Sequence, residues 1–185
     1  NQLLLILILS LSFWAIAFFL ICTYPSYNKY WNNSPTLGVM GILVLFPCWF
    51  ILLYLRSNDD FAFNFLRLIA LVAAADVGAY FSGKSFGKHK LMPKVSPNKT
   101  IEGLAGGVVA SIIFVLAFCH FTDVDLGVWP IYAIMTAFIA LFSAVGDLLE
   151  SMFKREAGLK DSGRCLPGHG GILDRIDSLT AAAPM

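Results

Sequence analysis

Apolar residues in this chain arrive in blocks of bilayer length, at about 2–22, 36–55, 64–82, 104–122 and 128–149, with short polar stretches between them. A helix needs about 20 apolar residues to cross a hydrocarbon core of about 30 Å. Each block therefore predicts one transmembrane helix. A sixth block opens near 172 and reads as a truncated span. The fold class expected is all-α: a polytopic transmembrane bundle forming one integral-membrane domain over 1–185. The first block has no basic leader and no small-x-small cleavage site, so it reads as a span and not as a signal peptide. Because the chain opens on Asn1, it is expected to be a fragment of a longer protein, with further spans at both ends.

Composition agrees. The chain is 58% hydrophobic and 14% charged, with a mean hydropathy of +0.74, against about 45–50% and about 25% in soluble domains. Its four cysteines form no CxxC pair, which leaves neither a zinc site nor a disulfide framework and reads as small buried apolar residues.

Charge sets an orientation. With five spans the loops alternate sides, and 11 of the 13 lysines and arginines fall on one of them. These are Lys29, Lys84, Lys88, Lys90, Lys94, Lys99, Lys154, Arg155, Lys160, Arg164 and Arg175, whereas Arg56 and Arg67 lie opposite. The positive-inside rule makes the rich side cytoplasmic, and a bacterial inner membrane is the expected location. Lysines there also grip anionic headgroups, at about 1 kcal/mol each. That role alone leaves unexplained why the two richest loops also carry Ser-Pro, Gly-Gly and carboxylates.

Those carboxylates are the candidate chemistry. Asp76 lies inside the third block, roughly 9 Å from its end at 1.5 Å per residue, where an aspartate costs about 2.5–3.5 kcal/mol at mid-membrane. Such a residue faces a wet cavity, a cation or a partner. Asp147 and Glu150 close the fifth block at i, i+3 spacing, which predicts a shared helix face. Asp174 and Asp177 repeat that spacing after Gly170-Gly171, where a new helix is expected. Taken singly, each reads as a cap or a salt-bridge partner. Together, beside a glycine-rich turn and many cations, they point to a hard cation such as Mg²⁺. Asp147 and Asp174 would supply one oxygen each from separate helices, with Asp177 and Glu150 completing the acidic set. The turn at 167–171 would turn backbone N–H groups toward phosphate. His169 within it would touch a phosphate oxygen or accept a proton, the plain alternative being an exposed loop histidine.

The first basic loop adds a second phosphate-seeking element. Gly83-Lys84-Ser85 resembles the end of a P-loop but lacks the upstream glycine, so a Walker motif is rejected. Ser96-Pro97 predicts a turn, and Lys99 and Thr100 just precede a helix N-terminus, a favourable anion site. A nucleoside triphosphate suits that loop. No aromatic ladder accompanies the lysines, which argues against nucleic acid.

The run Ser151-x-x-Lys-Arg-x-x-x-x-Lys-Asp-x-x-x-x-x-Pro-Gly-His-Gly-Gly-x-x-Asp-Arg-x-Asp177 resembles the signature of the phosphatidate cytidylyltransferase (CDP-diacylglycerol synthase) family. Ala75-Asp-x-Gly-Ala-Tyr80 and Ser96-Pro-x-Lys-Thr100 are similar to two further family segments. The resemblance implies an integral membrane enzyme that joins CTP to phosphatidate, giving CDP-diacylglycerol and pyrophosphate. It implies Mg²⁺, accompanied by a monovalent cation, with Asp147 and Asp174 at the cation centre. Lys160 and His169 would join those aspartates in catalysis. Asp76, Lys88, Ser96, Pro97, Lys99, Thr100, Lys154, Arg155, Asp161, Gly170, Gly171 and Arg175 would bind substrate. Two departures stand out: Val77 replaces an expected small hydroxyl residue, and the chain stops where the family continues into a final span. Other readings stay open, namely a CTP-dependent lipid kinase or other lipid phosphotransferase, and a cation transporter using Asp76. A CDP-alcohol phosphotransferase would need a D-G-x-x-A-R run, which is absent. Broad apolar faces are compatible with a homodimer, which nothing in the sequence requires.

Overall fold

The computed structural model describes residues 2–57, 59–163, 165 and 170–185. In chain order the elements are α1 (Gln2–Thr23), α2 (Asn28–Trp31), α3 (Ser34–Arg56), α4 (Phe61–Phe86), β1 (Lys90–Met92), β2 (Ser96–Thr100), α5 (Ile101–Phe121), α6 (Trp129–Glu156) and α7 (Leu173–Ala182). A 3₁₀ turn, Leu126–Val128, leads into α6. Helices α1, α3, α4, α5 and α6 are long and apolar enough to cross a membrane. Side chains such as Leu5, Ile42, Ile113 and Ile134 stay exposed on their outer faces, as a lipid solvent permits. The protein is an integral membrane protein with an all-α core.

Two helices outrun the expected spans. Helix α4 continues past 82 to Phe86, and α6 continues past 149 to Glu156. Both extensions place cations, Lys84 or Lys154 and Arg155, in the last turn, where the negative end of the helix dipole favours them. About 15 Å of helix therefore separate Asp76 from Phe86, the last residue of α4. Beyond α6 the chain turns at Gly158, whose φ of +67° suits glycine, and Leu159 N–H returns to the Lys154 carbonyl at 2.8 Å. This is the double-bonded stop that left-handed glycine permits.

The first basic loop is a hairpin. β1 and β2 pair antiparallel, Lys90 opposite Thr100 and Met92 opposite Ser96. The turn occupies Pro93, Lys94 and Val95, not Ser96-Pro97, which opens β2. A two-stranded ribbon has edges on both sides, so Pro97 and its missing N–H are tolerated there. What holds the hairpin is tertiary: Val95 is 1% exposed and packs with Trp14, Ile21, Trp31, Leu149 and Met152 in the main core cluster.

Elsewhere small residues bring helices into backbone contact. A Cβ placed on Gly107 would lie 2.7 Å from the Ala75 carbonyl, and one on Gly103 would lie 3.0 Å from that of Ala79. Helices α4 and α5 thus meet along a glycine–alanine seam, the usual means of close approach in a membrane. Likewise α6 meets α7 at Gly146, where a Cβ would lie 2.5 Å from the Asp177 carbonyl.

Candidate active site at the polar end of the bundle

Three consecutive residues at the end of α6 each fasten it to a different element. Lys154 Nζ reaches Asp174 Oδ1 of α7 at 2.7 Å and Glu150 Oε2 at 3.1 Å. Arg155 Nε donates to the Val95 carbonyl of the hairpin at 3.3 Å. Glu156 accepts from Tyr24 Oη (3.1 Å), Asn28 Nδ2 (3.1 Å) and Asn32 Nδ2 (2.7 Å) of the segment joining α1 to α3. The three lysine-bearing segments of the sequence thereby gather at one end of the bundle.

Below this hub a cavity of about 510 Å³ opens between α4, α5 and α6, roofed by Leu91 and by Asn98, Lys99 and Thr100 of β2. Asp76, Ser143 and Asp147 lie along it. Its deeper wall is Ala75, Leu104, Gly107, Val108 and Ala140, which suits hydrocarbon. Lys99 Nζ stands 2.5 Å from Asp147 Oδ2, and Ser151 Oγ donates to Asp147 Oδ1 at 3.3 Å. Thr100 lines the same cavity, but its Oγ1 caps α5 by accepting from Gly103 N–H at 3.0 Å. Val77 is 55% exposed and takes no part in the lining.

The predicted acidic set is brought into one region but divided. Asp147 is within electrostatic range of Asp76 and of Asp177. Asp177 in turn faces the carboxyl of Glu150. Glu150 and Asp177 border a second, mostly apolar cavity of about 270 Å³ on the other flank of α6. Asp147 and Glu150 therefore border different cavities, although both lie near Asp177 of α7. Among the described residues, Asp174 shares no partner with Asp147. Its Oδ2 instead accepts from Ser162 N–H (2.9 Å), Ser162 Oγ (2.9 Å) and Gly171 N–H (2.7 Å). It ties the glycine-rich loop to α7. Desolvation pushes the Asp174 carboxyl up, but Lys154 and the three donors outweigh it and hold it well below the usual carboxylate range.

Of the other predicted residues, Arg155 is exposed beyond its Val95 contact, and Lys88, Pro97, Lys160, Asp161 and Arg175 are exposed around the rim. Ser96 is half-buried in β2. Gly170 has φ +83°, and a Cβ there would lie 2.7 Å from Asp174 Oδ2, so the turn needs glycine. Gly171 is buried against Ser162 and Gly163. His169, Pro167 and Gly168 lie outside the described residues. Sequence reasoning missed Ser162, Glu102 and Glu156. An acid in the last turn of α6 opposes the helix dipole, and Glu156 was legible as unusual on that ground alone.

The carboxylates suit a hard cation. Every donor is an oxygen, and Glu150 Oε1 is buried without a hydrogen-bond partner among the described residues while its carboxyl faces that of Asp177. Two carboxyls in contact call for a cation or a proton between them. Among the described residues no three His, Cys, Asp or Glu side chains form a ready cage. Mg²⁺ keeps several waters and takes substrate phosphates as ligands, so one or two carboxylates can hold it.

Comparison with known proteins follows the same direction. The model of the cytidylyltransferase family matches residues 2–185. The chain is 44% identical to the phosphatidate cytidylyltransferase of Haemophilus influenzae, covering 97% of this chain and 66% of the relative. It is 46% identical to that of Pseudomonas aeruginosa, with the same coverage of each. A Staphylococcus aureus phosphatidate cytidylyltransferase is 53% identical over 65% of this chain and 46% of its own length. The chain thus spans just under two thirds of the length of the curated relatives it matches most fully. With the family's model matching residues 2–185 and two relatives at 44 and 46% identity over 97% of the chain, the chain belongs to the cytidylyltransferase family.

Proposed function

We propose that this chain carries the catalytic region of a phosphatidate cytidylyltransferase, joining CTP to phosphatidate to give CDP-diacylglycerol and pyrophosphate. The observation that carries the reading is the Lys99–Asp147 pair, set in a cavity with an apolar inner wall and a polar roof. Such a space accepts a lipid chain below and phosphates above. The polar end would face the cytoplasm of a bacterial inner membrane, where CTP is available, as the lysine asymmetry implies.

In the proposed reaction, a phosphate oxygen of phosphatidate attacks the α-phosphorus of CTP in line. A new P–O–P bond forms, the α–β bond breaks, and pyrophosphate leaves with the electron pair. Phosphoryl chemistry of this kind rests mainly on positioning and charge stabilisation. Lys99 would hold phosphate from the cavity roof and Lys154 from the α6–α7 side, with Arg155, Lys160 and Arg175 neutralising charge at the rim. The phosphatidate headgroup is already an anion, so no strong general base is required, and His169 is assigned to phosphate contact. Asp147, Asp177, Asp174 and Glu150 are the residues that would hold Mg²⁺ and a monovalent companion, which supply charge neutralisation when bound.

Labelled CTP tests this reading. Label from the α-phosphorus should enter chloroform-soluble lipid and label from the γ-phosphorus should not. Transfer of the γ-label would identify a lipid kinase instead.

A further inference from the structure

Lys84 and Tyr80 line the large cavity, with Lys84 Nζ 5.8 Å from the centre of the Tyr80 ring. Tyr80, Phe81 and Phe86 are 61, 62 and 70% exposed on the last turns of α4. Exposed aromatics at the end of a membrane helix mark headgroup depth. Lys84 lies one turn beyond Tyr80, about 6 Å along the axis, with its ammonium at the level of lipid phosphates. Lys88, Lys90 and Lys94 follow on the linker and hairpin, all exposed, and none has an ionic partner among the described residues. The nearest acid along the chain is occupied: Glu102 accepts from the Lys88 and His89 N–H groups and pairs with His89 Nδ1 at 2.6 Å. Further inside, the next cation is Lys99, already bound to Asp147. Among the described residues, Lys84 at the cavity and Lys88, Lys90 and Lys94 after it in the chain thus carry no ionic partner, whereas Lys99 in the cavity is paired.

We propose that Lys84, with Lys90 and Lys94, forms a capture surface for lipid phosphates. It draws anionic headgroups out of the bilayer plane to the cavity beside Tyr80. This rests on the reading of the cavity as the phosphatidate site and adds how that lipid is gathered and favoured over neutral lipids. Free nucleotide is the other source of phosphate, but Tyr80, Phe81 and Phe86 set the patch at membrane depth, where the lipid phosphate lies. Each cation near such a surface enriches an anionic lipid about fivefold, and salt weakens the effect.

The test uses the full-length enzyme in phosphatidylcholine nanodiscs with spin-labelled phosphatidate or spin-labelled phosphatidylcholine. The protein-immobilised fraction is read by electron paramagnetic resonance, beside steady-state kinetics. Wild type should enrich phosphatidate, and the Lys84→Gln/Lys90→Gln/Lys94→Gln variant should lose most of that enrichment. The variant's apparent KM for phosphatidate should rise at least tenfold, with KM for CTP within twofold of wild type. Substituting the same three positions by arginine should restore both readouts, which a folding defect would not allow. Unchanged phosphatidate enrichment in the glutamine variant overturns the proposal, as does a rise in KM for CTP alone. If the wild-type enzyme enriches phosphatidate through these lysines yet makes no CDP-diacylglycerol, the catalytic reading fails and the capture surface stands.

Discussion

Lys99 of the hairpin and Asp147 of α6 meet at 2.5 Å, joining two segments that the sequence separates by an entire membrane span. The pair joins the roof of the cavity to the helix forming its wall. A phosphate reaching Lys99 must compete with Asp147, and a cation reaching Asp147 must displace Lys99. In the proposed reaction, substrate phosphate and cation would therefore meet at this contact.

Replacing Asp147 by Asn should lower CTP-dependent CDP-diacylglycerol formation by about 10²–10³-fold, the usual cost of removing one charge-stabilising group. Protein yield and thermal midpoint in detergent should stay near wild type, because Asp147 is one third exposed and Asn keeps its shape. Lys99→Met should reduce turnover similarly. Turnover within threefold of wild type for Asp147→Asn would remove it from the reacting centre.

Asp174 links the loop at 162–171 to Lys154, and its carboxyl is held well below the usual carboxylate range. A depressed folded-state pKa stabilises the protein above the unfolded value, about 3.9, and that stabilisation disappears as pH falls through the folded value. The thermal midpoint of the wild type should thus be insensitive to this group from pH 7 to 5 and should drop below about pH 4. Lys154→Met removes the ammonium that lowers the Asp174 carboxyl, so its acid-induced loss should be smaller and should end at a higher pH. Coincident acid limbs for the two proteins would show that Lys154 does not control Asp174.

The α4–α5 seam predicts a steric effect. Gly107→Val puts branched carbon where even a Cβ would lie 2.7 Å from the Ala75 carbonyl. Overpacking of this kind costs about 1–3 kcal/mol, and it should also spread the cavity wall and depress activity. Gly41→Ala is the control, since nothing lies within 4 Å of a Cβ there. Urea or detergent-induced unfolding should separate the two.

Glu156 gathers Tyr24, Asn28 and Asn32 from the far side of the bundle. Glu156→Ala leaves the half-buried Tyr24 and Asn28 donors and the exposed Asn32 donor without their acceptor, at about 1–3 kcal/mol for the buried part of the network. Because those contacts form one network, Glu156→Ala and Asn32→Ala should combine to less than the sum of their separate effects. Strict additivity of the two thermal shifts would show that the contacts act independently.

The spans were legible because hydrocarbon allows only long apolar helices, so blocks near 20 residues announce themselves. Their lysine-rich ends were not, because Lys84, Lys154 and Arg155 read as loop chemistry although they prolong helices comfortably. The hairpin was hidden for a related reason. Ser-Pro and lysines signal a turn, whereas burial of Val95 and the Arg155 contact with its carbonyl are long-range facts. The i, i+3 spacing of Asp147 and Glu150 predicted one face, yet about 60° of rotation between them is enough to send each to a different cavity once α6 is wedged between α5 and α7.

By itself the sequence determined which segments are long and apolar enough to cross a bilayer, where the cations lie along the chain, and which acids are candidates for the chemistry. These are local properties, set by residue type, spacing and the solvent each segment meets. Only tertiary structure decided which cation each acid meets, since the Lys99–Asp147, Lys154–Asp174 and Glu156–Asn32 contacts depend on how closely glycine and alanine let the helices approach.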